Sequence, residues 1–184
     1  LGLTKPVLVG HSLGAAIALQ FAVDHPEKIA GIVCLGGGIK MPVNPFMLEF
    51  LKTNPSEIPA EIVDMMCKFS LAKENREKYS EPLRKSIALS RVDVLYGDLL
   101  ACNELDLSHD AARISVPALI VCGAEDKMTP PDLSQALAQQ IGGAKLVIIE
   151  GAGHTVMLEK PSAFNQCLDQ FAESVFPASN PLKN

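Results

Sequence analysis

The chain has 184 residues, 48% hydrophobic and 20% charged, with a formal net charge of −5. That length suits one domain with an inserted subdomain, the acidic balance argues against nucleic acid or an anionic membrane surface as partner, and no apolar run nears the ~20 residues that span a bilayer. Five cysteines without C-x-x-C spacing (Cys34, Cys67, Cys102, Cys122, Cys167) fit buried thiols in a reducing, cytoplasmic compartment, and exclude neither a leader nor processing before Leu1.

Val7-Leu8-Val9 is a short apolar run that predicts a strand, and Ala15–Val23 is an alanine-rich stretch that predicts a helix. Between them lies Gly10-His11-Ser12-Leu13-Gly14. A strand that turns sharply into a helix can hold a serine at the tip of the bend with its oxygen exposed at the sheet edge. Gly10 and Gly14 are expected to remove side chains that would collide across the turn, and Ala15 and Ala18 to let the helix lie close to the sheet. His11 is expected to point away from the reacting groups. After Asp24-His25-Pro26-Glu27 breaks the helix, Ile29–Leu35 reads as a central strand, ended by Gly36-Gly37-Gly38.

From 39 to 114 the pattern changes. Prolines recur at 42, 45, 55, 59 and 82, no strand-like run appears, and Ile58, Ile62, Met65, Met66 and Phe69 share a helical face. This segment is predicted to be a helical lid. Met41, Met47, Met65 and Met66, with Phe46, Phe50 and Phe69, are expected to supply mainly the lid's own core, or else an adaptable apolar acyl pocket. The mixed-charge run Lys73–Lys78 reads as a solvated helix end, and Asp93, Asp98, Asp106 and Asp110 read as solvated too. The α/β rhythm returns with a strand at Ala118–Cys122, a helix over 131–141, a strand over 145–150 and a helix over 161–176. Buried runs alternating with helices predict a mostly parallel α/β sheet. The expected divisions are a nucleophile-bearing core segment at 1–38, the lid at 39–114, a second core segment at 115–176 and a frayed tail at 177–184.

A serine hydroxyl becomes a useful nucleophile only when a neighbouring base takes its proton. His154, in Gly151-Ala152-Gly153-His154, follows the last predicted strand. It therefore lies at the carboxyl edge of the sheet, as the serine turn does. Asp126, in Gly123-Ala124-Glu125-Asp126, follows the preceding strand and is the best-placed acid to hold the imidazole tautomer. Glu125 should face elsewhere, because adjacent side chains diverge. His25 and His109 read as surface residues. Ser12, Asp126 and His154 thus stand at three strand ends in the chain order Ser, Asp, His.

These motifs resemble the α/β-hydrolase superfamily, in particular lid-bearing serine esterases and lactonases of the 3-oxoadipate enol-lactonase and carboxylesterase type. The resemblance covers nearly the whole chain up to the tail. It implies Ser12 as nucleophile, His154 as general base and acid, and Asp126 as its orienting carboxylate. It implies the backbone N–H of Leu13 as one oxyanion donor, and a second donor on a loop after an earlier strand. Such members place several strands before the serine turn, so the chain is expected to be the carboxyl-terminal part of a larger enzyme, inactive or feeble alone. The implied substrate is a small-molecule carboxylic ester or lactone, cleaved through an acyl-enzyme with no cofactor and no metal. Acyl transfer, thioester cleavage, carbon–carbon bond hydrolysis and a non-enzymatic ligand receptor are the alternatives on the same fold.

Overall fold

A computed structural model of the chain describes residues 2, 4–54 and 56–177. All of the predicted tail except Pro177 lies outside the described residues. Strands β1 (Val7–His11), β2 (Gly31–Leu35), β3 (Ala118–Gly123) and β4 (Lys145–Ile149) form one sheet in the order β1-β2-β3-β4. Every neighbouring pair is parallel, with His11 opposite Leu35, Leu35 opposite Val121, and Gly123 opposite Ile149. The carboxyl ends are therefore level, so the turns that follow the strands share one rim.

Parallel neighbours require crossover connections, and the sequence supplies them as helices. Helix α1 (Leu13–Asp24) links β1 to β2, and α6 (Pro131–Gln140) links β3 to β4. Side chains alternate across a strand, so β2 and β3, buried throughout, serve two cores. Ile32, Cys34, Ala118 and Ile120 pack with Ala15, Leu19 and Ala22 of α1 and Leu137 of α6. Val33, Leu35, Leu119 and Val121 pack on the other face with Phe164 and Phe171 of α8 (Pro161–Val175). Burial in the sheet pushes the Cys34 and Cys122 thiols up to about 12. No described helix is long and apolar enough to cross a membrane.

Between β2 and β3 stand α2 (Pro45–Thr53), α3 (Ala60–Ser70), α4 (Arg76–Ala88) and α5 (Val92–Glu104). Helix α2 starts as its sequence dictates: Asn44 caps it by accepting the Phe46 N–H at 2.9 Å, and Pro45 fills the first turn. The four helices share a core of Met47, Leu51, Ile58, Ile62, Val63, Cys67 and Val92, with Phe50, Met65 and Met66 against it. Three of the seven expected residues lie elsewhere. Met41 leaves this core for a seam with Ala16 of α1 and Cys102 of α5, while Phe46 and Phe69 are exposed. The two ends of the inserted segment meet: Leu107 N–H donates to Ile39 O at 3.0 Å, and Lys40 pairs with Asp106 at 2.9 Å. Ser108 and then Lys40 hold the Asp106 carboxyl below its ordinary range. Asp93 is likewise exposed and pairs with Arg91, while Asp110 is half-buried and pairs with Arg113.

The two turn glycines differ. A Cβ at Gly10 would lie 2.0 Å from Gly14 O, so the strand-to-helix turn closes only without a side chain there. A Cβ at Gly14 would meet nothing within 4 Å among the described residues, contrary to the expectation that both prevent collision. Gly10→Ala should therefore cost about 3 kcal/mol or more. Gly14→Ala, inside α1, should be neutral or stabilise by about 0.5–1 kcal/mol. Thermal unfolding midpoints of the two variants check the contrast.

Candidate active site

Ser12 stands alone between β1 and α1 with φ 54° and ψ −117°. Positive φ in a residue with a Cβ is strained and persists only where surrounding bonds enforce it. Here Ser12 N–H donates to Leu35 O at 2.9 Å, and Ser12 O accepts from Ala15 N–H at 2.9 Å and Ala16 N–H at 3.2 Å. The next residue, Leu13, opens α1, so its N–H is one of the amides a helix leaves without an intrahelical acceptor. The helix N-terminus favours negative charge at that point.

Asp126 lies in the turn after β3. Oδ1 accepts from the N–H groups of Met128 and Thr129, each at 2.8 Å. Oδ2 accepts from the Thr129 hydroxyl at 2.9 Å and from His154 Nδ1 at 2.8 Å. Because Oδ2 can only accept, His154 carries its proton on Nδ1, and Nε2 is left as the basic nitrogen. Both side chains are buried, Asp126 4% and His154 5% exposed. Glu125 turns away, as expected, and accepts from Lys73 N–H at 3.1 Å.

The acid turn and the histidine loop, Gly151–Thr155, are joined backbone to backbone. Ala124 N–H donates to Ile149 O at 3.0 Å and Glu125 N–H to Ala152 O at 2.9 Å. A Cβ on Gly123 would lie 2.1 Å from Gly153 O. The end of β2 provides the seat for the ring. Gly36 has φ 56°, and a Cβ there would sit 2.9 Å from His154 Cε1 and Nδ1. The peptide that receives the Ser12 N–H is thus the neighbour of the one on which the imidazole rests.

The structure brings Asp126 and His154 into direct contact and Ser12 to the adjoining strand end. No hydrogen bond joins the Ser12 hydroxyl to the imidazole in this state. Catalytic contacts of that kind often tighten only when substrate is bound. His25 is remote from the imidazole and stacks on Phe21 with centroids 5.0 Å apart, and His109 is exposed. Among the described residues no three His, Cys, Asp or Glu side chains converge as metal ligands would.

His11 corrects the sequence reading. Strand β1 runs two residues beyond its apolar stretch, and period-2 alternation puts His11 on the same face as Val7. The ring packs on that of His154, centroids 4.5 Å apart, and its Nε2–H donates to His154 O at 2.9 Å. Thr129 and Gly36 were also missed. The Asp126-Lys127-Met128-Thr129 spacing, in which an aspartate receives amides two and three residues on, is a local signal that could have found Thr129.

Burial, and next the electrostatic influence of the neighbouring His154 ring, hold the His11 imidazole down at about 4 against an ordinary 6.5. The unfolded chain therefore binds a proton that the folded one refuses. Stability should fall as pH drops from about 6.5 to about 4, by roughly 3 kcal/mol at most, and this group's contribution should level off below that. His11→Gln should flatten the slope, which urea unfolding at stepped pH measures.

Residues 2–161 match the family model described as serine aminopeptidase, S33. A thermophilic esterase of known structure is 39% identical and superposes with a TM-score of 0.81, over 94% of this chain and 67% of its own. "Putative carbamate hydrolase RutD" of Klebsiella pneumoniae (strain 342) is 27% identical across 99% of this chain, which spans 71% of that protein's length. The enol-lactonase of Burkholderia xenovorans LB400, 20% identical with a TM-score of 0.84 over 91% of this chain and 65% of its own, shares the fold. A parallel sheet with a serine at the strand-to-helix turn, matched over most of its length by this family model, makes the chain a member of the serine aminopeptidase S33 family within the α/β-hydrolase superfamily.

Proposed function

We propose that this hydrolase cleaves a carboxylic ester or lactone through an acyl-enzyme on Ser12. The observation that carries the reading is the buried Asp126–His154 hydrogen bond of 2.8 Å, which protonates Nδ1 and leaves Nε2 basic beside the serine turn. Ser12 Oγ attacks the carbonyl carbon as His154 Nε2 takes its proton. The developing oxyanion is held by the Leu13 N–H at the head of α1, where the helix dipole adds to the attraction. His154 returns the proton to the leaving alcohol oxygen, then activates the water that releases the acid. Asp126 stays ionised and stabilises the imidazolium formed in between.

The inserted helices serve in this reading as a lid. Ser12 borders a cavity of about 40 Å³ whose other walls include Met41 and Val43 from the entry to the insertion, Leu99 and Cys102 from α5, and Met128 and Thr129 from the acid turn. Apolar walls beside a nucleophile suit a short acyl group, and two methionines let them adapt to it. The similarity to a protein named for carbamate hydrolysis adds carbamates to the substrates worth assaying, since the same attack serves their carbonyl.

In the full-length enzyme, Ser12→Ala should reduce turnover of p-nitrophenyl acetate to background and abolish labelling by a fluorophosphonate probe. Asp126→Asn should lower kcat by about 10³–10⁴, because the amide can present the wrong group to Nδ1 and so favour the wrong tautomer. Wild-type turnover in the purified Ser12→Ala variant would end the proposal. Tight binding of a small ligand without turnover of any acyl donor would favour a receptor.

A further inference from the structure

Glu159 ends α7 (Val156–Glu159), a single turn that follows the histidine loop, and its side chain is buried. An ionised carboxylate persists in such surroundings only where donors occupy its lone pairs. Four do. Oε1 accepts from Gly153 N–H at 2.9 Å and from the Thr155 hydroxyl at 3.0 Å. Oε2 accepts from Ala72 N–H at 2.8 Å and from Asn75 Nδ2 at 2.9 Å. The first two donors flank His154. The other two belong to the stretch between α3 and α4, which with the end of α3 makes further bonds to the same loop. Asn75 Nδ2 donates to Gly151 O at 2.9 Å, and Ser70 O, at the last residue of α3, accepts His154 N–H at 2.8 Å. The neighbouring cation, Lys160, is engaged by Glu74 instead, at 2.8 Å.

A loop with glycines at 151 and 153 has wide backbone freedom, yet the imidazole it carries must reach Asp126 on one side and the serine on the other. We propose that Glu159 is a positioning residue of the hydrolytic site, fixing the residues on both sides of His154 and fastening them to the inserted helices. The inference rests on the reading of Ser12 and His154 given under the proposed function.

Glu159→Gln tests it. The amide keeps the shape but turns one acceptor into a donor that faces two other donors. With p-nitrophenyl acetate, at a temperature where circular dichroism shows the variant folded, kcat should fall about 10- to 100-fold while KM stays within about twofold. The low-field proton resonance of His154 Nδ1–H should shift or broaden. Lys160→Gln, which cuts only the exposed tie to Glu74, should keep wild-type kcat. A folded Glu159→Gln variant with wild-type kcat, an unshifted imidazole proton, or an equal loss in Lys160→Gln each overturns the assignment. Should Glu159→Gln not fold, Thr155→Val decides: a fall in kcat of about 3- to 10-fold from losing that single donor supports the role, and unchanged kcat refutes it. Ser12→Ala separates the two readings. Turnover by Ser12→Ala sinks the serine mechanism itself, whereas loss there beside wild-type turnover in Glu159→Gln removes only the role of Glu159.

Discussion

The contact on which the site depends is the approach of two peptide segments at the sheet rim, where Gly123 comes so near Gly153 that a Cβ would lie 2.1 Å from its carbonyl oxygen. Parallel pairing of β3 with β4 sets the two segments side by side, and the missing side chain lets them close. Asp126 and His154 are separated in sequence, and they meet because their loops begin from that junction. The 2.8 Å hydrogen bond between them follows from backbone geometry, with the Thr129 hydroxyl sharing Oδ2 and the N–H groups of Met128 and Thr129 fixing Oδ1.

The same economy governs the rest of the core. Each central strand buries both faces, so successive residues on β2 and β3 answer alternately to one helical layer and then the other. The strained Ser12 conformation is held where β1 ends, by the hydrogen bond to Leu35 O and by the start of α1. A rigid sheet below and short loops above are what a preorganised site requires, since misplacing a reacting group by about 1 Å can cost 10²-fold in rate.

Much of this was legible in the chain. Apolar runs of strand length alternating with helical stretches state a parallel sheet directly, and loop residues just after strands must share its carboxyl rim. That reasoning placed Ser12, Asp126 and His154 at that rim without reference to their side-chain contacts. It failed where the deciding neighbour is distant in sequence. The Lys73–Lys78 run looked like a solvated helix end, yet Asn75 reaches Gly151 and Glu159, and charge patterning cannot reveal a partner so far along the chain. His11 was misread because strand pairing with Leu35 continues past the last apolar side chain. Gly14 looked like Gly10 in sequence, and only the space above it distinguishes them.

The clip at the base of the insertion, Ile39 to Leu107 and Lys40 to Asp106, closes the segment on itself. Entry and exit run together, so β2 and β3 hardly register what lies between, and doubling that length would add only about 0.6 kcal/mol of closure entropy. The segment is nonetheless tied to the rest of the molecule in two places, the seam of Met41 and Cys102 against Ala16 of α1 and the stretch from Phe69 to Asn75 that grips the loops of the rim. The backbone that fixes the histidine and acid loops therefore comes in part from the segment between β2 and β3, and replacing that segment would loosen the rim unless those contacts were kept.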